Sequence, residues 1–167
     1  MLGSLARKLR IFGFDTSYFR DGGDDTLRAL ARKERRTILT SDLALFERSR
    51  RDGLGAYLVQ GRTDRDRLLS VQRQATGTSF RIGRGTASRC ALCNGELELL
   101  WRRDGAALSI PAKVLARHRL FYRCTVCSRL FWHGRHWERL RGLSHSLNAK
   151  GPTPGQDSAS KSCRRGH

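Results

Sequence analysis

Four of the five cysteines stand in two Cys-x-x-Cys pairs separated by 30 residues: Cys90 with Cys93, and Cys124 with Cys127. Each Cys-x-x-Cys turn presents two thiolates on one side, and two such turns complete a tetrahedral zinc site with Zn–S bonds of about 2.3 Å. Because four sulfur ligands leave no open position, the predicted site is structural rather than catalytic. The alternatives are redox-active or free thiols, and iron in place of zinc. We expect the fifth cysteine, Cys163, to be a free thiol without a role.

Carboxylates are the second group that could do chemistry, and two of them stand out by position. Asp42 directly follows the apolar segment 36–40, a predicted buried strand, so it lies at the carboxyl end of the predicted sheet, where open α/β sheets place their sites. Asp24 begins the preceding predicted helix, near the same edge. Carboxylates that converge there can hold Mg²⁺ or Mn²⁺ and activate water against a phosphodiester. The alternative is structural, because Asp is also a preferred helix N-cap residue.

Aromatic and arginine side chains follow the second cysteine pair. We predict that four of them form a stacking surface for single-stranded RNA: Trp132, Arg135, Trp137 and Arg139. An equally good interpretation is that the tryptophans pack this region onto the first domain. His133 and His136 are redundant as ligands beside four sulfurs, so we expect them at the surface or in packing.

The chain is strongly basic. Its 167 residues contain 33 lysines and arginines against 15 acidic residues, which gives a formal net charge of +18. This excess favours RNA or another polyanion as the partner, whereas codon usage explains only the preference for arginine over lysine. No apolar run approaches the roughly 18 residues of a membrane span, and the N-terminus lacks the apolar core of a secretory signal. We therefore expect a cytoplasmic protein without a membrane segment, of unknown oligomeric state.

Helical and strand patterns alternate through residues 1–76, the first predicted domain. The predicted helices cover 2–12 and 63–75 and begin at Asp24 and Asp42, and the predicted strands are FDTSYF at 14–19, RTILT at 36–40 and AYLVQ at 56–60. This alternation predicts an α/β fold with a parallel sheet flanked by helices. The pattern begins on a helix, whereas a parallel sheet usually begins with its own first strand, so that first strand is missing.

The rest of the chain divides by composition. Residues 77–88 are rich in Gly, Ser and Thr and are predicted to be a linker. Residues 89–146 carry both cysteine pairs and three strand patterns, which predicts a small β zinc ribbon. Residues 147–167 show no periodicity and are predicted to be a disordered basic tail.

Several of these motifs together resemble the Mut-seven C-terminal RNase domain family. The similarity is carried by MLGSLARKLRIFGFDT at the N-terminus, by DDTLRALA, by RTILTSD, by CALCNGEL and by CTVCSRLFWHGRHW, in the order found in that family. It extends from residue 1 to about residue 140. The resemblance implies a PIN-like nuclease domain followed by a zinc ribbon, and cleavage of RNA by a metal ion held on clustered carboxylates.

The resemblance also assigns roles to individual residues. It implies that Asp42, in the T-x-D motif, and Asp24, at the start of the second helix, are catalytic carboxylates that hold Mg²⁺ or Mn²⁺. Asp15 matches the G-aromatic-D position, with a structural or a catalytic role, and Thr40 is expected to position the T-x-D turn. The four cysteines match the ribbon ligands.

Two departures from the family pattern affect the catalytic prediction. The family begins with a strand that ends in Asp, just before the position of Met1, and an acidic residue expected two positions after Asp42 is Ala44 here. We therefore expect this chain to be a weak ribonuclease or none. The two explanations are that an upstream coding segment supplies a short strand ending in Asp, or that the protein has lost catalysis. The alternative to a ribonuclease is a non-catalytic RNA-binding protein, and a third hypothesis is a zinc-ribbon adaptor for other proteins.

Overall fold

The computed structural model describes residues 2–83, 87–103 and 110–149. Within these ranges the chain forms six helices: α1 (Gly3–Ile11), α2 (Asp24–Glu34), α3 (Leu43–Arg51), α4 (Asp64–Gln74), α5 (Ala112–Arg117) and α6 (Arg135–Asn148). The same ranges contain five strands: β1 (Ile38–Thr40), β2 (Ala56–Leu58), β3 (Leu97–Trp101), β4 (Leu120–Cys124) and β5 (Leu130–Trp132). None of the helices in these ranges is long and apolar enough to cross a membrane.

The first half is an α/β arrangement around a small parallel sheet, as the alternating pattern predicts. β1 pairs in parallel with β2, and Leu39 lies opposite Tyr57. Helical spacing places the apolar side chains of α1 and α4 on inward faces, where they meet β2 and the segment after α4. The largest core cluster consists of Leu5, Leu9, Phe12, Val59, Leu68, Val71, Phe80 and Leu147.

The prediction of a strand at residues 14–19 is wrong, because this segment forms no strand. The backbone groups of Thr16 bond instead to two side chains, one from the preceding helix and one from the first cysteine turn. Arg10 Nε donates to the Thr16 carbonyl at 2.7 Å, and the Thr16 N–H donates to Asn94 Oδ1 at 3.0 Å. The parallel sheet of the described residues therefore has two strands rather than three.

The segments on either side of the predicted ribbon contribute to the core of the first half. Phe80, inside the Gly/Ser/Thr-rich segment, is fully buried and packs against Phe12 and Phe14. The last turns of α6 cover it, because the Ser144 hydroxyl donates to the Phe80 carbonyl at 2.6 Å and Leu147 is fully buried. The spacing of Leu140, Ser144 and Leu147 is helical, a signal that the sequence already contained. Residues 150–167, the rest of the predicted tail, lie outside the described residues.

The three predicted strands of the second half form an antiparallel sheet in the order β3-β4-β5. Leu99 lies opposite Tyr122, and Tyr122 lies opposite Phe131. Because Phe121 is fully buried, one face of this sheet is a core face. The two cysteine pairs lie at the same end of this sheet, one just before β3 and the other at the end of β4.

Candidate metal centre and carboxylate site

The four paired cysteines converge as their spacing predicts. Their Sγ atoms all lie within 4.8 Å of one another. The Sγ atoms of Cys90 and Cys127 are 3.7 Å apart, and those of Cys93 and Cys124 are 3.3 Å apart. A tetrahedron with Zn–S bonds of 2.3 Å has S–S edges of about 3.8 Å, so these cysteines are placed to hold a metal ion of that size.

Local backbone geometry produces the two cysteine turns. Asn94 and Ser128, which directly follow the second cysteine of each pair, have positive φ angles of 70° and 56°. The N–H groups of these two residues donate to the carbonyls of Cys90 and Cys124, which closes each turn. At Gly95 a Cβ atom would come within 3.0 Å of Cys124 Sγ, so only glycine leaves room for the sulfur cluster.

The protein environment shifts the pKa values of the two buried cysteines, Cys90 and Cys124, in opposite directions. Burial raises the pKa of Cys90 to about 12. Burial also opposes ionisation of Cys124, but the N–H groups of Cys127 and Val126, together with its neighbouring thiols, lower its pKa to about 7. Of these two thiols Cys124 therefore ionises more readily, and binding of a cation has to displace the proton of Cys90.

Arg10 connects the first cysteine turn to helix α1. Its side chain is buried, and its Nη1 donates to the carbonyls of Ala91 and Leu92 at 3.1 and 2.9 Å while Nε donates to Thr16. The rigid, planar guanidinium presents its donors from separate nitrogens in fixed directions, so one side chain serves three carbonyls on two segments. Sequence reasoning missed this residue because Arg10 lies in a helix with other basic residues and no local signal separates it from them.

Replacing Arg10 with Met should destabilise the protein by about 3–5 kcal/mol, because three carbonyl oxygens lose a buried donor at about 1–3 kcal/mol each. Urea denaturation of the metal-loaded protein measures this loss. Arg7→Met, an exposed position on the same helix, is the matched control and should change stability by less than about 0.5 kcal/mol. Equal stability of the two variants would show that Arg10 does not connect the cysteine turn to α1.

Asp15 also connects the first cysteine turn to the first half of the chain. Its carboxylate accepts hydrogen bonds from Arg36 Nη2 at 3.0 Å and from Asn94 Nδ2 at 2.6 Å. These bonds, that of Arg36 first, hold the pKa of Asp15 below its usual value. The residue therefore ties the first cysteine turn to the first half of the chain, which is the structural one of its two expected roles.

Asp42 lies at the carboxyl end of β1, as predicted, and caps helix α3. Its Oδ1 accepts from the Leu45 N–H at 3.1 Å, and its own N–H donates to Thr40 Oγ1 at 3.0 Å. Thr40 thus orients the turn that carries the carboxylate. Asp42 is exposed, and its Oδ2 has no partner among the described residues.

Asp24 begins α2 and is paired with a cation rather than with another acid. Its Oδ2 accepts from Arg48 Nη2 of α3. The Arg48 side chain folds back along its helix, since its Nε also donates to the Ala44 carbonyl at 3.4 Å. Within the described ranges, only the four cysteines bring three or more His, Cys, Asp or Glu ligand atoms together.

A cleft with a volume of about 730 Å³ opens beside β1. It is lined mainly by apolar side chains of α1, α2 and β1, and Asp15 and Asp42 also contribute to its walls.

Strand β1 uses one of its two edges for pairing with β2. The Ile38 N–H donates to the Gly55 carbonyl, and the Val59 N–H donates to the Thr40 carbonyl. Alternation in a parallel ladder therefore directs the N–H and C=O of Leu39 to the other edge, where none of the described strands pairs.

The four residues of the predicted RNA-stacking surface do not share one environment. Trp132 is 39 % exposed at the end of β5. Trp137 is half-buried and stacks on His133, with ring centroids 4.0 Å apart. Arg135 and Arg139 are exposed on α6.

Comparison with known proteins supports the motif resemblance. The sequence profile of the Mut7-C RNAse domain matches residues 1–143. Neither the curated proteins nor the solved structures give a significant match. The matched region includes the cysteine cluster, Asp24, Asp42 and most of α6. Because the profile covers most of the 167 residues, the chain belongs to the Mut7-C RNAse domain family.

Proposed function

We propose that this protein is a metal-dependent ribonuclease that hydrolyses phosphodiester bonds of RNA. The observation that carries the proposal is the unpaired carboxylate oxygen of Asp42, exposed at the carboxyl end of a parallel strand in a chain of an RNase domain family. Open α/β sheets bind their ligands at this edge.

Two carboxylates are the proposed ligands of the catalytic ion, Mg²⁺ or Mn²⁺. Asp42 offers a free oxygen, and Asp24 begins α2, where it is bound to Arg48 of α3. Such a donor set fits Mg²⁺, which is commonly bound by one or two carboxylates together with substrate phosphates rather than by a complete protein cage. When bound, the ion supplies polarisation of the phosphate and activation of water.

The chain's own residues orient the Asp42 carboxylate and supply positive charge for binding RNA. Thr40 and the α3 cap hold the Asp42 carboxylate in one orientation, which leaves Oδ2 without a partner among the described residues. Arg48 forms an ion pair with Asp24 in the free protein. The formal net charge of +18 favours binding of the RNA backbone, with an affinity that falls steeply with salt.

The cysteine cluster is the proposed structural zinc site, and the sheet around it is the proposed zinc ribbon. Four sulfur ligands favour zinc and leave no position for a substrate. Thiolates that stay reduced for metal binding are typical of the cytoplasm, which we propose as the compartment.

A second candidate function is RNA binding without cleavage. The observation that favours it is the ion pair between Asp24 and Arg48, which leaves Asp42 as the single unpaired acid of the two. In this case the protein holds RNA through its arginines, and no divalent ion is required.

Asp42→Asn separates the two functions. The substitution keeps a good helix cap but weakens ion binding, so we expect RNA cleavage with Mn²⁺ to fall by about 100-fold or more while stability is nearly unchanged. Glu47→Gln, an exposed position on the same helix, is the matched control and should cleave like the wild type. Zinc-loaded wild-type protein that binds RNA but never cleaves it would reject the ribonuclease and favour the second function.

A further inference from the structure

The antiparallel sheet has one face that differs from its buried face. Residues directly opposite each other in an antiparallel pair, and residues two apart along a strand, lie on the same side. By this register one side carries an apolar set that we call the aromatic face: Leu99, Trp101, Leu120, Tyr122 and Phe131. The other side carries the fully buried Phe121 and, opposite it, Trp132.

The aromatic face is open to solvent at its centre and one end. Leu99 and Trp101 are each 50 % exposed, and the other three residues are half-buried. Two further rings extend the surface, because His133 lies 5.2 Å from Tyr122 and stacks on Trp137. Burial lowers the pKa of His133, so its ring is a neutral stacking partner near pH 7.

Arginines line a cleft beside Trp101, just beyond the strand ends of this face. Trp101 lines this cleft of about 200 Å³ together with Arg102, Arg103 and Arg119. The backbone N–H of Arg102 donates to the carbonyl of Arg119 at 2.9 Å, so these two arginines are neighbours across the end of the β3–β4 pair. An exposed indole beside a cleft that arginines line matches a nucleotide, which has a flat base and a charged phosphate.

We propose that the aromatic face binds single-stranded RNA, with a base stacked on Trp101 and phosphates held by Arg102 and Arg119. This inference rests on the proposed function and adds to it a surface that holds the substrate outside the carboxylate site. It differs from the surface predicted from sequence, because Trp132 lies on the opposite side of the sheet while Trp137 adjoins the aromatic face. The positive border favours RNA over an apolar protein partner.

The test is binding of a fluorescein-labelled oligouridylate of about twelve nucleotides to the full, zinc-loaded chain, measured by anisotropy without Mg²⁺ or Mn²⁺. Trp101→Ala should weaken binding about 5- to 150-fold, the equivalent of about 1–3 kcal/mol for one stacked base. Trp101→Phe should restore most of the affinity. Trp132→Ala is the matched control and should change the affinity less than about twofold.

The arginine contribution has its own readout. Arg119→Gln should lower the slope of log affinity against log salt by about 0.7, the value for one phosphate contact on a single strand. Arg50→Gln, an exposed arginine of α3, should leave the slope unchanged. Equal metal content and equal melting temperature of the variants show that the comparison is made between folded proteins.

Three results would overturn the inference. The first is that Trp101→Ala binds RNA as tightly as the wild type, and the second is that Trp101→Ala and Trp132→Ala lose the same affinity. The third is that the wild type binds no RNA but self-associates, and that Trp101→Ala abolishes this self-association. The ribonuclease proposal is judged separately, because the binding assay contains no divalent ion. If Asp42→Asn loses cleavage while Trp101→Ala binds normally, the function stands and the aromatic face is wrong.

Discussion

Removal of the metal from the four cysteines is expected to unfold the antiparallel sheet of β3, β4 and β5. Structural zinc contributes about 10–16 kcal/mol of apparent binding free energy in small zinc modules, which is comparable to the whole stability of a domain, about 5–15 kcal/mol. Cys124→Ser should have the same effect as a chelator, because it removes a buried ligand. Circular dichroism and elemental analysis of the purified protein measure both effects.

The loss of structure on metal removal should extend beyond the antiparallel sheet. Arg10 and Asn94 connect the first cysteine turn to α1 and to the segment 14–19. Hydrogen exchange in residues 10–18 should therefore accelerate in the metal-free protein. Cys163→Ser is the matched control and should bind one metal ion with unchanged stability. Protein that contains neither zinc nor iron, and is indifferent to chelators, would contradict the metal centre.

A short apolar strand supplied to the open edge of β1 is expected to stabilise the first half of the chain substantially. Empty apolar space costs about 24 cal/mol per Å³, so a closed cavity of the cleft's 730 Å³ would cost about 17 kcal/mol. The cleft opens to solvent, which lowers the cost, yet even a fraction of it is large beside a total stability of about 5–15 kcal/mol. One strand residue fills about 3.3 by 4.8 by 10 Å, so the cleft holds a strand of about five residues.

The direction of such a strand follows from α1. Ser4 and Lys8 bond to Asp64 at the start of α4, which places the N-terminal part of α1 at the carboxyl edge of the sheet. A strand joined to α1 and parallel to β1 would end at that edge, as in other β–α units. Its backbone would meet the N–H and C=O of Leu39.

We therefore expect that about five Val and Ile residues fused before Leu2 raise the melting temperature by about 6–12 °C, equivalent to about 3 kcal/mol for a chain of this size. A Gly-Ser fusion of equal length is the control and should leave the melting temperature unchanged. If the two fusions melt together at the wild-type temperature, the cleft does not accept a strand.

Local patterns predicted those parts of the fold that depend on local contacts. Helical periodicity located α1 to α4 because each helix buries one stripe of apolar side chains. The Cys-x-x-Cys spacing predicted the metal centre, because each turn brings its two thiolates together without help from the rest of the chain. Asp42 was found for the same reason, since a strand followed by a helix cap is a local signal.

The features that sequence reasoning missed depend on distant contacts. FDTSYF alternates like a strand, but its backbone partners are Arg10 and Asn94, whose approach no local pattern shows. The pairing of Asp24 with Arg48 joins two helices across 24 residues, and it determines which of the two acids remains unpaired. Strand register also places Trp132 on the sheet side opposite to Trp101, which the spacing of the aromatic residues does not show.

The most direct test of the proposed ribonuclease is the fate of solvent oxygen during cleavage. RNA is incubated with the zinc-loaded protein and Mn²⁺ in ¹⁸O-labelled water, and the products are analysed by mass spectrometry. Activation of water at Asp42 predicts one ¹⁸O atom in each product phosphate, no 2′,3′-cyclic phosphate, and loss of these products in Asp42→Asn but not in Glu47→Gln. Products that end in unlabelled cyclic phosphate, or labelled products formed equally by Asp42→Asn, would contradict the account.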